Sequence, residues 1–406
     1  MSSLSVAAYF PFTRVKVVAQ AVHPDSRGAL LYLEPDHRFR PLCHECGRPS
    51  GGIHSSGHRR HIRDLPLAGR HAWLQISYRK IWCEACRKAR VERLEFADAS
   101  QRITLRLARY IYELCKLMTI ADVARHLDLD RKTVTAIEYE GLQKEFGATD
   151  YSALRILAID EISLHKGQLG YMTVVLDYES GRVVWMGEGR NKETLDAFFA
   201  GMSQEQKDGI QAVALDMWEA FVNRIQHHCP HAQIVFDLFH LVKGFGEVID
   251  EVRREEYRKA HKQDRAVIKG SRYLLLSNVD NLRPEQRLSL EKLLATNQRL
   301  NAVYVLKDQL KVIYHYRQRK QAKRVLDDWC AMAEGVDHPL MRRFIGRLRF
   351  FEYGILNHCD HPIGTSPLEG VNNKIKLIKR KGYGYHDPEH FALKVKQAFR
   401  GKESTN

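Results

Sequence analysis

The stretch from residue 155 to residue 240 alternates short apolar runs with amphipathic segments. Runs of about four to eight apolar residues bounded by turn residues are typical of buried strands, and two of these runs carry an aspartate near their end, Asp160 or Asp216. A later segment places Leu195, Phe198 and Phe199 at helical spacing. The pattern predicts strands at 155–163, 171–176, 182–186, 211–217 and 233–237, a hairpin turn at 177–181, and a helix at 191–202.

The predicted order is three strands, a helix, a strand, a helix and a strand, which is the order of an RNase H-like α/β layer. In such a layer, acids from several strands converge at one edge. A carboxylate inside a buried strand is costly unless it is paired, and a divalent cation is one possible partner. Hard cations prefer oxygen ligands, and two Mg²⁺ ions about 4 Å apart can clamp an in-line phosphoryl displacement. The alternative is that Asp160 and Asp216 simply end strands in solvent.

Two C-x₂-C pairs stand in the N-terminal part of the chain. Paired cysteines at this spacing, in a chain without a secretion signal, predict one tetrahedral structural zinc site. A strand predicted at residues 70–82 would deliver the second pair. Coincidental pairs or a redox dithiol are the alternatives, and the scattered remaining cysteines favour a reducing, cytoplasmic setting. The predicted zinc ligands are Cys43, Cys46, Cys83 and Cys86.

A helix-turn-helix is predicted next. A helix at 104–117 precedes a short amphipathic helix at 119–127, and Asp130 is a plausible N-cap for the helix that begins at Arg131. The start of the second helix of such a motif meets base edges in the major groove. An ordinary helical hairpin is the alternative, because the turn contains no glycine. The predicted base-contacting residues are Arg131, Lys132, Thr133 and Thr135.

After His240 the alternation of strands stops. Helical periodicity at 242–269, 284–294, 301–326 and 339–350 predicts a helical insertion in the catalytic layer, with Trp329 in its core. The insertion has a predicted basic face with one nearby acid, Asp308, and this face either contacts phosphate or is simply solvated. Its residues are Lys307, Lys311, Arg317, Arg319, Lys320, Lys323 and Arg324.

Glu369 has two competing roles near the C-terminus. Ser366 as N-cap, Pro367 at the first helical position and Glu369 three residues after the cap predict a capping box. Glu369 is alternatively a third carboxylate for the metal site, with Asn372 and polar residues on the next turns. A loop at 382–385 and a closing helix at 388–399 follow. The same helix supplies candidate DNA contacts at Lys374, Lys376, Lys379 and Arg380.

The composition indicates which class of molecule the chain binds. The 406 residues suffice for two to three domains. A net charge of +15 indicates a polyanion, most often nucleic acid, although a generally basic surface is the alternative. No apolar stretch reaches the roughly 18 residues of a membrane span, and the N-terminus lacks the features of a signal peptide.

With these motifs the chain resembles the ISL3 family of bacterial insertion-sequence transposases of the DDE class. The resemblance covers nearly the whole chain and rests on IDEIS at 159–163, LDM at 215–217, FDLFH at 236–240, SPLEGVNNK at 366–374 and KRKGYGY at 379–385. It implies that Asp160, Asp216 and Glu369 form a metal-binding triad, and that Asp237 and His240 form an accessory motif near it. At these positions the sequence does not depart from the pattern of the family.

The resulting prediction is a DNA transposase that cleaves element ends and joins them to target DNA, using two Mg²⁺ or Mn²⁺ ions. It would bind double-stranded terminal inverted repeats as a homodimer or higher oligomer. An RNase H-like nuclease that never joins, and a DNA-binding regulator, are the alternatives. The predicted domains are a zinc-binding domain (1–95), a helix-turn-helix domain (96–150), the first part of the RNase H-like core (151–240), the helical insertion (241–360) and the last part of the core with the Glu369 helix (361–406).

Overall fold

The computed structural model describes residues 10–22, 28–67, 69–99, 101–163, 170–382 and 385–401. They divide into two units between Glu145 and Phe146, and each unit is described separately below. In these ranges no helix is long and apolar enough to cross a membrane. Two residues of the loop predicted at 382–385, numbers 383 and 384, lie outside the described residues.

The first unit begins with a five-stranded sheet. Strands β2 and β4 pair in parallel, and the other neighbours are antiparallel. Of these strands the sequence predicted only β4. Strand β3 was missed because much of it is polar and exposed and carries no continuous apolar face. Leu31, Leu74 and Ile76 are completely buried on the inner face. The sheet order is β1-β2-β4-β3 with β5 beside β4, for β1 (Val15–Val22), β2 (Gly28–Pro35), β3 (Gly52–Leu67), β4 (Arg70–Cys83) and β5 (Lys88–Val91).

The predicted helix-turn-helix is present in the first unit. The amide of Thr133 donates to the Asp130 carboxylate at 3.2 Å, which confirms the predicted N-cap. Asp128 supplies the left-handed turn at φ 52°, a conformation that aspartate tolerates better than most residues. This explains how the turn forms without glycine. The helices are α1 (Leu105–Leu117), α2 (Ile120–Leu127) and α3 (Arg131–Phe146).

Two neighbouring side chains of β3 tie the sheet to these helices. The guanidinium of Arg63 donates to the carbonyl of Leu127 at 2.7 Å, at the end of α2. The carboxylate of Asp64 accepts from the hydroxyl of Thr104 at 2.7 Å and from the guanidinium of Arg106, at the start of α1. Both residues are buried, so these bonds satisfy charged groups that would otherwise be costly.

The second unit is built on another five-stranded sheet, ordered β10-β9-β6-β7-β8. β6, β7 and β8 are antiparallel, whereas β9 and β10 run parallel to β6 on its other side. This confirms the predicted RNase H-like order. The elements are β6 (Ile156–Ser163), β7 (Tyr171–Asp177), β8 (Val183–Glu188), α4 (Lys192–Ala200), α5 (Gln204–Asp208), β9 (Ala212–Leu215), α6 (Glu219–His228) and β10 (Gln233–Phe236).

The two faces of this sheet pack against different helices. Leu157 and Ile159 of β6 belong to the core shared with α4, α6 and the helical insertion. Ala158 and Ile162, on the opposite face because side chains alternate along a strand, pack with α15 (Ser366–Lys381) and α16 (Pro388–Ala398). The helix that carries Glu369 therefore covers the same face of β6 as Ala158, Asp160 and Ile162.

The predicted helical insertion is present, with two differences in its helices. The run predicted at 242–269 is broken by extended backbone at Ala260, and the run predicted at 301–326 is broken at residues 313–318. These breaks let successive helices turn back onto one core. Trp329 is buried as predicted and donates to the Leu306 carbonyl at 2.8 Å. The helices are α7 (Leu238–Lys259), α8 (Lys262–Ile268), α9 (Arg272–Leu276), α10 (Pro284–Thr296), α11 (Gln298–Val312), α12 (Arg319–Glu334), α13 (Pro339–Phe350) and α14 (Glu352–Leu356).

The predicted basic face of the insertion is wrong at Lys307. This side chain is 1% exposed, and its ammonium donates to the carbonyls of Leu275 and Ser277 at 2.7 and 2.8 Å. Burial lowers the pKa of Lys307 to about 8. The expectation of a single nearby acid is wrong as well, since Lys323 pairs with Asp327 at 2.8 Å.

Candidate active site

Three aspartates follow one another along the carboxyl edge of the parallel strands. Ala158 of β6 pairs with Ala214 of β9, so Asp160 and Asp216, each two residues further on, lie at the same level. Leu215 pairs with Phe236 of β10, so Asp237 comes next to Asp216. The strand register thus brings together acids that are far apart in the sequence.

Burial and mutual repulsion shape the charges at this edge. Burial raises the pKa of Asp160, and the charge of Asp216 acts in the same direction, whereas His240 opposes it. Burial, followed by the charges of Asp160 and Asp216, raises the pKa of Glu161 to about 7, whereas Arg190 opposes it. Such a cluster of desolvated acids is typical of functional sites.

Sequence reasoning missed Glu161 and Arg190. Glu161 points to the opposite face of β6 from Asp160 by strand alternation, so its only sequence signal was that it follows Asp160. Arg190 stands in the loop before α4 and had no sequence signal. Glu161 is next to Asp160 in the chain, but only the fold brings it near Asp216 and Arg190.

The helix that carries Glu369 contacts the acidic edge through Asn372. The amide of Asn372 donates to a carboxylate oxygen of Asp160 at 2.8 Å. Glu369 lies three residues earlier, about one turn along the same helix, and its side chain is exposed. The carboxylate oxygens of Asp160, Asp216 and Glu369 do not all lie within 4.8 Å of one another. Among the described residues, only the four cysteines form a group of three or more metal-ligand atoms at such distances.

The predicted capping box at Ser366 is wrong. The helix starts at Ser366, and the N-cap position is Thr365. The carboxylate of Asp237 accepts from the amide of Thr365 at 2.7 Å and also from its hydroxyl. The start of this helix is therefore held by a side chain from the end of β10, and the capping role that competed for Glu369 disappears.

Asp237 and His240 have different surroundings. Asp237 is 4% exposed, and besides holding Thr365 it caps α7 by accepting from the amide of Phe239 at 2.8 Å. His240 lies near enough to Asp160 to lower its pKa. The Nδ1 atom of His240 is buried, and no described residue is its hydrogen-bond partner. Asp237 thus connects backbone segments, whereas His240 lies near Asp160.

The helical insertion fixes the backbone around the acidic edge. Arg347 of α13 donates to the carbonyl of Met217, the residue after Asp216, at 2.6 Å. The hydroxyl of Tyr314 donates to the carbonyl of Phe236 at 2.9 Å, just before Asp237. The insertion is therefore part of the support of the site.

The residues at this edge fit divalent cations. Burial and neighbouring negative charge raise the pKa of Asp160 and of Glu161, and a nearby positive charge stabilises the ionised form of such carboxylates. The side-chain oxygen of Asn372 is buried, and no described residue donates a hydrogen bond to it, so it is a further oxygen of the kind that Mg²⁺ prefers. Asp160, Asp216 and Asn372 thus offer oxygen donors in a negatively charged environment.

The predicted DNA-contacting residues lie on α3 of the first unit and on α15 of the second unit. At the start of α3, Arg131 and Lys132 are exposed, whereas the hydroxyl of Thr135 donates to the Arg131 carbonyl at 2.8 Å. On α15, Lys374 donates to the carbonyl of Ala398 at 2.8 Å. The remaining candidates are Thr133 on α3 and Lys376, Lys379 and Arg380 on α15.

The four predicted zinc ligands come together in the first unit. The sulfurs of Cys43 and Cys86 are 4.0 Å apart, those of Cys46 and Cys83 are 3.5 Å apart, and all four ligand atoms lie within 4.8 Å of one another. Zinc–sulfur bonds of about 2.3 Å in a tetrahedron place sulfurs about 3.8 Å apart. The cluster therefore has the dimensions of a structural zinc site.

Family models of known proteins match three parts of the chain. A family model of the ISL3 DDE type, described as a transposase, matches residues 157–395. A helix-turn-helix domain of the same transposase family matches 92–139, and a zinc finger of insertion-sequence transposases matches 40–86.

Curated relatives are named as transposases too. The chain is 41% identical to the transposase for insertion sequence element IS1001 of Bordetella parapertussis over 384 residues, covering 93% of this chain and 94% of the relative. It is 29% identical to the transposase for IS1557 of Mycobacterium tuberculosis over 262 residues, covering 59% of each chain.

Proposed function

The chain belongs to the ISL3 family of DDE transposases, enzymes that cleave and transfer DNA, and from this premise we propose how its residues divide the work. Asp160, Asp216 and Glu369 hold two Mg²⁺ or Mn²⁺ ions. The observation that carries this assignment is the register that aligns Asp160 with Asp216, with α15 bound to Asp160 through Asn372.

Two such ions, when bound, activate a water or a 3′-hydroxyl and stabilise the oxygens of an in-line displacement. The side chains of the protein fix the positions of the metal-binding carboxylates. Asn372 orients Asp160 by donating to one carboxylate oxygen, while the amide of Glu161 donates to the other, each at 2.8 Å. Asp237 fixes the start of α15 and thereby the range of positions that Glu369 can reach. His240, which lies near Asp160, acts as a local hydrogen-bond donor or acceptor during catalysis.

The DNA partner in this proposal is double-stranded DNA at the terminal inverted repeats of the element, followed by target DNA. The exposed start of α3 reads bases, and the basic residues of α15 hold the phosphate backbone next to the acids. Because an element has two ends, we include assembly as a homodimer or higher oligomer on DNA. The net charge of +15 supports a polyanionic partner.

One structural zinc held by Cys43, Cys46, Cys83 and Cys86 completes the proposal. All eight cysteines are free of disulfide bonds, which supports a cytoplasmic location. We further propose that the chain is organised into the five predicted domains, with boundaries at residues 95, 150, 240 and 360.

The decisive experiment incubates the purified chain with labelled duplexes of the element ends and a target plasmid in Mg²⁺. Transposition predicts cleaved ends with free 3′-hydroxyls and labelled ends joined to plasmid. Cleavage without joined product would favour a nuclease. Binding without cleavage would favour a regulator, and Asp160→Asn is the inactive control.

The role of His240 is tested in the same assay. His240→Ala should reduce cleavage with little change in end binding, because the residue lies near Asp160 and is not part of the helix-turn-helix. Unchanged cleavage would assign His240 to a structural role.

A further inference from the structure

An exposed tryptophan lies beside the acidic edge. Trp218 follows Asp216 by two residues, and 45% of its surface is exposed. Its backbone is fixed, since its amide donates to the Asp216 carbonyl at 2.7 Å and its carbonyl accepts from the amide of Phe221 at 3.0 Å. An indole has a large apolar face, and exposed tryptophans are enriched where a partner covers them. A rigidly held indole at this position therefore indicates a surface for ligand contact.

Arg190 connects this indole to a second ring. Its guanidinium carbon lies 4.2 Å from the ring centroid of Tyr171 and 5.9 Å from that of Trp218. The loop before it is anchored, because the amide of Gly189 donates to the Tyr171 carbonyl and the hydroxyl of Thr173 donates to the Gly189 carbonyl, both at 2.8 Å. Gly189 has a φ of +97°, which strongly favours glycine. These contacts hold Arg190 between the two rings.

The group lies beside the acids. The amide of Trp218 donates to the Asp216 carbonyl at 2.7 Å, and the guanidinium carbon of Arg190 lies 5.9 Å from the centroid of the Trp218 ring. A DNA strand whose phosphate reaches Asp160 and Asp216 therefore passes its neighbouring nucleotides close to Trp218 and Arg190. In a duplex the faces of the bases are covered by stacking, so an aromatic side chain can stack only on a base that is unpaired or turned out.

We propose that Trp218, Arg190 and Tyr171, here called the aromatic platform, bind an unpaired base of the DNA strand that is cut. Trp218 supplies the stacking face, Arg190 supplies a positive charge for the adjoining phosphate, and Tyr171 keeps Arg190 in place. The inference rests on the proposed function for the identity of the substrate. It adds a nucleotide-binding site that none of the predicted catalytic or helix-turn-helix residues provides.

The test measures binding of the full-length chain to a labelled oligo-dT of about 10 nucleotides by fluorescence anisotropy. Trp218→Ala should weaken binding by about 5- to 100-fold, and Trp218→Phe should retain most of it, since stacking tolerates any aromatic ring. Trp82→Ala is the matched control, because Trp82 is also 45% exposed but belongs to the first unit. It should bind like the wild type.

A second oligonucleotide isolates the contribution of the bases. An abasic strand of the same length keeps the phosphates but removes the bases. The wild type should bind it about as weakly as Trp218→Ala binds oligo-dT, and Trp218→Ala should not distinguish the two strands. Photo-crosslinking with a strand that contains 5-iododeoxyuridine should mark Trp218 or Tyr171.

Two results would overturn the platform: equal binding of oligo-dT by the wild type and Trp218→Ala, or crosslinks that map only elsewhere. Neither measurement uses cleavage, so the two proposals can fail separately. If the wild type joins element ends normally and Trp218→Ala binds oligo-dT as well as the wild type does, only the platform proposal is wrong. If the wild type binds bases through Trp218 but never cleaves, only the proposed transposition chemistry is wrong.

Discussion

The zinc cluster of the first unit and the acidic edge of the second unit are assembled in opposite ways. The four sulfurs come from two short loops, and all lie within 4.8 Å of one another. The acids come from the ends of three strands and from a helix that begins more than a hundred residues later, and Glu369 remains exposed. A structural metal site is closed by its ligands, whereas a catalytic site keeps room for substrate.

The difference also concerns what supports each site. The cysteine loops are held by local backbone hydrogen bonds, such as that from the amide of Cys43 to the carbonyl of Arg48 at 2.9 Å. The acidic edge depends on side chains that join distant segments, namely Asn372 to Asp160, Asp237 to Thr365 and Arg347 to Met217. Damage to one of these contacts should therefore change geometry at the acidic edge, whereas damage to the zinc cluster should unfold its surroundings.

The largest expected effect follows loss of a zinc ligand. Zinc binding contributes about 10–16 kcal/mol to small zinc domains, so Cys83→Ser should unfold the cysteine region and leave the second unit folded. Limited proteolysis and metal analysis, about one zinc per wild-type chain, measure this. Cys359→Ser, a partly buried cysteine of the second unit, is the control. Wild-type protein purified without chelator and lacking zinc would contradict the prediction.

Glu369→Gln should have the next largest effect, on catalysis alone. Glutamine lacks the charge that holds Mg²⁺, so cleavage should fall by at least about 10³-fold with Mg²⁺ or Mn²⁺. Because Glu369 is exposed and does not cap its helix, unfolding free energy should change by less than about 0.5 kcal/mol. Glu193→Gln, an exposed glutamate in the first turn of α4, is the control. A Glu369→Gln variant that still cleaves would remove this residue from the triad.

Removing the link between Asp237 and Thr365 should affect both stability and catalysis. Asp237→Ala removes the acceptor of the buried amide and hydroxyl of Thr365 and of the amide of Phe239, so it should cost about 2–5 kcal/mol. Thr365→Val removes only the hydroxyl and should cost about 1–2 kcal/mol. In urea denaturation the double variant should be less destabilised than the sum of the two. Additive losses would show that the two side chains act independently.

The smallest effect is expected at the helix-turn-helix. Lys132→Ala should weaken binding to element ends by about 1–3 kcal/mol and to random DNA by less, if the residue reads bases. Thr135→Val should have a smaller effect, because its hydroxyl already donates to the Arg131 carbonyl. Competition binding assays measure both. An equal loss on both DNAs would reassign Lys132 to phosphate contact.

The sequence by itself determined what depends on local spacing. Apolar periodicity predicted the strands of the second sheet and most helices, because side-chain alternation and helical repeat are local properties. The two cysteine pairs predicted the cluster that the fold brings together. The acids at 160 and 216 stood out because a charge interrupts an apolar run. The polar strands of the first sheet were missed, since β3 is stabilised by pairing along β4 and not by its own apolar pattern.

Only the tertiary structure decided which distant groups meet. Lys307 belongs to a basic run in the sequence, but its side chain is buried and donates to two backbone carbonyls. The sequence pattern from Ser366 predicts a capping box, but the helix instead begins after Thr365, whose amide donates to Asp237. The raised pKa of Glu161 arises from burial, then from its sequence neighbour Asp160, and then from Asp216 at the end of the neighbouring strand. Each outcome depends on pairwise distances between segments that lie far apart in the chain, and such distances are set by strand register and packing, which a one-dimensional pattern does not contain.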